Sequence, residues 1–151
     1  MRRITFLLFA LLLTLRATGA APRVITWEQL RDVQFRKRWY PEENVVMLAP
    51  RFGQSVKALS GNAITITITG YVIPVDLERG LYVVSRYPMA ACFFCGGAGP
   101  ESVMALNFKR LPRTFKTDER RTFSGMLRLN ADNIYEMNYI LDRAELVSDL
   151  P

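Results

Sequence analysis

The sequence predicts a mainly β domain with a short N-terminal helix, closing into a small OB-like barrel or, as the alternative, packing as a small β-sandwich. Three observations carry this reading. Residues 63–69 run Ala-Ile-Thr-Ile-Thr-Ile-Thr, and strict period-two alternation of apolar and polar residues marks a half-buried strand. Gly70 interrupts that strand before Tyr71-Val72-Ile73, which marks a bulge or a sharp bend. Further segments of strand length and composition then follow at 81–86, 102–108, 121–129 and 139–147. Five strands, the first long and bent, with a small helical insert near 130–133, suit a closed or partly open barrel.

The elements follow in chain order. Arg2 and Arg3 precede an apolar run over 4–15, and Ala17, Gly19, Ala20 and Ala21 come after it. This charged, greasy, small-residue order reads as a secretory signal peptide, and the run is too short to span a bilayer. Residues 1–20 are accordingly expected to be a cleaved signal peptide and 21–151 a single β-rich barrel domain, exported to the periplasm or secreted. Thr26 before Trp27-Glu28-Gln29-Leu30 has N-cap chemistry with a carboxylate in the first turn, predicting a helix over 27–33. Val45-Val46-Met47-Leu48 is a brief apolar run ended by Pro50, and Ser60-Gly61-Asn62 is a turn. Trp27, Phe35, Trp39, Tyr40 and Phe52 are expected to be the aromatic cover of the barrel.

Composition narrows the chemistry. The chain has 151 residues, enough for one ordinary domain, and no histidine, which removes Ser-His-Asp and Cys-His catalysis, histidine-ligated zinc and a histidine pH switch. Net charge is +6. Loss of Arg2, Arg3 and Arg16 with the signal segment lowers it to +3, and the remaining cations are scattered, so nucleic acid is not the expected partner.

Cys92-Phe93-Phe94-Cys95, followed by Gly96-Gly97-Ala98-Gly99-Pro100-Glu101, is the chemical hot spot. Three states are open. A disulfide would close a loop of four residues and contribute only about 2 kcal/mol. A redox pair fits the two-residue spacing, but thioredoxin-like enzymes place theirs at a helix start in a βαβ unit, and here glycines follow in a β-rich chain. A metal site, for zinc or another thiophilic ion, would take two thiolates and recruit Asp76, Glu101, Asp118, Glu119 or a second chain. Gly96, Gly97 and Gly99 are expected to support the loop, with Glu101 beside them. A phosphate cradle is excluded because Pro100-Glu101 stands where Lys-Ser/Thr and a helix are needed.

Several segments together resemble a family of exported bacterial envelope proteins and lipoproteins classed as a domain of unknown function. They are Gly70-Tyr71-Val72-Ile73-Pro74-Val75, the stretch from Ser85-Arg86-Tyr87-Pro88 through Cys92-Phe93-Phe94-Cys95-Gly96-Gly97 to Ser102, then Gly125-Met126-Leu127-Arg128-Leu129-Asn130 and Tyr139-Ile140-Leu141-Asp142. The similarity covers about residues 26–148. It implies an envelope location, is compatible with a small barrel and brings no activity with it. The expected function is therefore a non-catalytic exported protein that presents the Cys-x-x-Cys loop for metal binding or for contact with another envelope component, whether an envelope protein, a membrane complex or a second copy in a homodimer. The alternative is a thiol-disulfide or metal-dependent enzyme built on the same loop.

Overall fold

The computed structural model describes residues 21–61, 63–110 and 113–147; the expected signal peptide at 1–20 lies outside the described residues. The Ile/Thr alternation becomes strand β4, Ile66–Asp76, the longest in the chain. Its first half pairs antiparallel with β7 (Arg120–Leu129), from Ile66 opposite Gly125 to Tyr71 opposite Arg120. Its second half pairs antiparallel with β5 (Leu81–Ser85), from Tyr71 opposite Ser85 to Pro74 opposite Tyr82. One strand thus belongs to two ladders, and Gly70 lies at the changeover. A Cβ there would stand 2.4 Å from the Ser85 carbonyl oxygen and 2.7 Å from a Val84 methyl. The missing side chain is what allows the backbones this close.

From β5 the sheet continues antiparallel to β6 (Val103–Phe108), then parallel to β8 (Tyr139–Leu146), and antiparallel from β8 to β7. The order β4-β5-β6-β8-β7 with β7 returning to β4 is a closed five-stranded OB-like barrel. The sandwich alternative is set aside by this closure. Strand β1, Arg23–Val24, adds in parallel to the start of β4.

Alternation along the strands sorts the core. Ile66, Ile68 and Val72 of β4 point inward with Val84, Met104, Phe123, Leu127 and Leu141, all essentially buried. The segment after β6 inserts Phe115 among Tyr82, Phe108 and Phe123, with ring centroids 5.5–6.0 Å apart. On the other side of the core, Leu30, Phe52, Val56 and Leu59 pack into the same cluster. The Tyr139 hydroxyl donates to the Leu30 carbonyl at 2.7 Å, and burial pushes that phenol well above its usual range.

Three segments depart from the sequence expectation. The N-terminal helix is a 3-10 turn over Trp27–Arg31. It stops because the Asp32 carbonyl and carboxylate accept the Gly53 and Ser55 N–H groups, drawing the chain off into a strand. Residues 33–52 form a full hairpin, β2 (Val33–Tyr40) and β3 (Val45–Phe52), where only a brief apolar run is expected. Pro50 does not end β3, because β3 is an edge strand, where a missing N–H is tolerated. After it, α1 (Gln54–Lys57) buries Val56. No helix forms near 130–133; residues 130–138 are a loop of turns. The aromatic cover holds for Trp27, whose indole N–H donates to the Thr69 carbonyl at 2.8 Å, and for buried Phe52. Trp39 instead stands exposed on the hairpin with Val46 and Leu48.

Replacement of Gly70 by Ala should destabilise the fold by about 2 kcal/mol or more, because the added methyl meets backbone that cannot yield without opening one ladder. A urea melt measures this, and an unchanged midpoint would contradict the two-ladder geometry.

Candidate functional site

The strand that packs Val84 inward turns Val83 outward, and neighbouring Ile73 of β4 faces the same way. The outer pair forms a small second cluster with Cys92, and Met89 packs against it. The Cys loop, residues 86–102, is therefore folded down on the outside of the barrel wall. Its neck is closed by β5–β6 pairing at Ser85 and Val103 and by the Arg86 N–H donating to the Ser102 carbonyl at 2.9 Å. The loop is three 3-10 turns, Met89–Ala91, Phe93–Cys95 and Pro100–Ser102. The Cys92 carbonyl accepts the N–H groups of both Cys95 (3.2 Å) and Gly97 (3.1 Å), so the segment curls around its own first cysteine.

The glycines divide by role. Gly96 ends the second turn in the left-handed region with φ of +75°, a conformation natural to glycine. Gly97 has no room for a Cβ, which would lie 2.8 Å from the Ala91 carbonyl oxygen. Gly99 sits against the Glu101 carboxylate, a flexible neighbour. Cys-Phe-Phe-Cys forms a turn, with Phe94 exposed and Phe93 half-buried.

Both cysteines are free, Cys92 fully buried and Cys95 exposed. Desolvation first, then the charge and hydrogen bond of the Cys92 thiol, push the Cys95 thiol above its ordinary value. Such a thiol is mostly protonated at neutral pH and is a weak nucleophile. Arg86, a conceivable activating cation, ion-pairs with Glu28 and lies over the Tyr87 ring. A further sulfur partner is one that the sequence does not single out: the Met89 thioether lies 4.0 Å from the Cys92 thiol.

Three of the four carboxylates considered as further ligands are engaged elsewhere, and the fourth, Glu101, lies against Gly99 on the loop itself. Asp118 accepts the Met89 N–H at 2.7 Å, Glu119 pairs with Arg113 and Arg121, and Asp76 pairs with Arg79. Among the described residues no three or more His, Cys, Asp or Glu side chains gather as a metal site. Asp118 and Glu119 still serve the loop. Their backbone groups exchange hydrogen bonds with Val72 of β4 while the Asp118 carboxylate holds the start of the first turn.

Beside the loop lies an open, mainly apolar cleft of about 760 Å³. Its floor is a row across the outer barrel face, Val83, Ala105 and Ile140, which are register partners on β5, β6 and β8. Phe93 and Pro100 of the Cys loop form one wall, Met47 and Leu48 of β3 another, and residues 131 and 133–138 a third. Met47 and Leu48 point to opposite faces of their strand, so the free edge of β3 borders the cleft. The third wall is braced by Arg128, which donates to Asp142 at 2.6 Å and to Glu136 at 2.9 Å. The Arg128 hydrogen bond holds the Glu136 carboxyl below its usual range. For Asp142, burial opposes ionisation but the bonds from Arg128 and Asn107 prevail, and its carboxyl too is lowered. Buried Asn130 ties off the same loop, donating to the Asn133 carbonyl at 2.7 Å, and Arg38 of the hairpin bonds Asp132 at 2.6 Å.

The fold and site define an OB-like barrel with an apolar cleft on its outer face and a thiol-bearing loop at the rim. The fold is similar to that in the crystal structure of a DUF3299 family protein from Pseudomonas aeruginosa PAO1, with a TM-score of 0.51 and 16% sequence identity over 87% of this chain and 100% of that one. That protein comes from a domain-of-unknown-function family, as the sequence resemblance leads one to expect, and the likeness is one of fold. No family model and no curated protein matches the chain.

Glu119 supplies a pH test of the anchoring. Hydrogen bonds from Arg113 and the Lys116 N–H lower its carboxyl from 4.5 to about 2. A depressed carboxylate stabilises above its unfolded value and stops doing so as pH falls through its folded value. The thermal midpoint should therefore drop as pH falls from about 5 toward 2, and Glu119→Gln should flatten that dependence. An unchanged pH profile in the variant would remove Glu119 as an anchor.

Proposed function

We propose that this chain is an exported, non-catalytic protein of the periplasm or outer envelope, which uses the Cys-loop rim and the cleft to hold an apolar segment of another envelope component. The observation that carries the reading is the shared wall. Phe93 and Pro100 of the loop line the same cleft as Met47 and Leu48 of β3, so the Cys-x-x-Cys segment acts as one side of a binding surface. Exposed Leu48, Val75 and Leu81 line this cleft together, and exposed Trp39, Val46 and Leu77 on the hairpin and the β4–β5 turn add apolar surface that suits a contact. OB-type barrels commonly bind extended oligomers on the corresponding face. An extended polypeptide could also add to the free edge of β3 by strand pairing while its side chains enter the cleft. An activated-thiol enzyme is disfavoured by the raised Cys95 thiol and by a loop without a cation committed to it.

A photo-crosslinking residue at Leu48, one at Phe94 and a control at exposed Arg143, each in the full chain in intact cells, test the reading. Leu48 and Phe94 should yield the same discrete adduct with an envelope component and Arg143 none. An adduct at twice the chain's own mass would identify the partner as a second copy. Absence of adducts from both Leu48 in the cleft and Phe94, whose ring packs on Phe93 of the cleft wall, would overturn the proposal.

A further inference from the structure

Three sulfur side chains, Met89, Cys92 and Cys95, lie within one short stretch of the Cys loop, Cys92 buried and Cys95 exposed, and the contact surface proposed above makes no use of them. Met89 packs on the Ile73–Val83–Cys92 cluster, its thioether 4.0 Å from the Cys92 thiol. The second turn of the loop, Phe93–Cys95, keeps Cys95 beside Cys92, its N–H donating to the Cys92 carbonyl at 3.2 Å. The spacing has a chemical meaning. Two sulfurs bound at about 2.3 Å to one metal in a plane with angles of about 120° lie about 4.0 Å apart, the separation found between Met89 and Cys92.

We propose that Met89, Cys92 and Cys95 form a three-sulfur site for a soft monovalent cation, copper(I). The donor set decides the ion. Thiolate and thioether ligands select copper(I), whereas zinc takes four tetrahedral ligands in a structural site and gains nothing from a thioether. Histidine is absent from the chain; Asp76, Glu119 and Asp118 hold Arg79, Arg113, Arg121 and the Met89 N–H instead, and Glu101 does not gather with the two cysteines into a three-ligand group. The environment agrees. Cys92 is out of water against Ile73 and Val83 while Cys95 is exposed, so the ion enters and leaves through Cys95 and rests in an apolar, water-poor pocket. Binding is a ligand exchange without electron transfer. Copper(I) forms two copper–thiolate bonds and one copper–thioether bond, the two thiol protons go to solvent, and the ion stays monovalent throughout. The Asp118 carboxylate on the Met89 N–H and the Cys92 carbonyl on the Cys95 and Gly97 N–H groups hold the backbone that carries the three donors.

The experiment uses the reduced, desalted mature chain under anaerobic conditions, with copper(I) supplied as its acetonitrile complex and bicinchoninate as the competing chelator. One copper(I) per chain should be withdrawn from the chelator, with ultraviolet thiolate-to-copper absorption and release of two protons. Silver(I) should bind with the same stoichiometry. Met89→Leu keeps the packing and should weaken copper(I) binding on the order of 10-fold; Cys95→Ser, at an exposed position, should weaken it by about 100-fold or more. Circular dichroism of both variants confirms that the barrel is retained. Failure of the wild-type chain to compete, unchanged affinity in Met89→Leu, or a preference for zinc(II) over copper(I) would each overturn the site. The crosslinking pattern from Leu48 and Phe94 does not depend on Met89, so loss of this proposal and loss of the contact surface are separately visible.

Discussion

The structure depends on one constraint: β4 must serve two ladders, β7 along its first half and β5 along its second. A flat strand cannot do this. The bend is possible where the backbone of β4 approaches Ser85 and Val84 without a side chain, at Gly70, and it is held by the Trp27 indole on the adjacent Thr69 carbonyl. Once β4 is bent, the sheet closes, the Ile and Val residues on one face become a core, and Phe115 and Tyr139 find the space that their rings fill.

The same alternation that builds the core also builds the site. Period two sends Val72 and Val84 inward and Ile73 and Val83 outward, and an outward apolar pair needs cover. The Cys loop supplies it with Cys92 and Met89. The loop can lie that closely because Gly96 takes a left-handed turn and Gly97 leaves the Ala91 carbonyl unobstructed. The outer row continues as Val83, Ala105 and Ile140, which form the cleft floor, so the binding surface is the outer face of the barrel wall itself. Packing of the barrel and chemistry of the surface are two sides of the same strands.

Much of the barrel is legible in the sequence because its signal is local: Ile-Thr alternation, a glycine in mid-strand, apolar segments bounded by turns. What is not legible depends on distant partners. Strand β2 carries three consecutive cations, Arg36, Lys37 and Arg38, a run without apolar alternation, and becomes a strand through its register with β3, where Lys37 faces Leu48 and Trp39 faces Val46. Asp32 ends the N-terminal turn through Gly53 and Ser55, far along the chain. At the site, Cys92, Cys95 and the glycines stand out by type and spacing, and the loop curls as glycine chemistry suggests. Met89 does not stand out, since a methionine three residues before a cysteine has a common core role until a turn brings the sulfurs together. Arg128, Asp142 and Asn130 are equally silent, because their significance is a brace between β7, β8 and a loop that no local pattern announces.

Amide hydrogen exchange tests the closure most directly. The slowest-exchanging amides should lie in β4 between Ile66 and Tyr71 and in their β7 partners, since these bonds open only when the barrel does. The β2–β3 hairpin, outside the barrel sheet and exposed along Trp39, Val46 and Leu48, should exchange much faster. Exchange in the β4–β7 ladder as rapid as in the hairpin would contradict a barrel held by that seam.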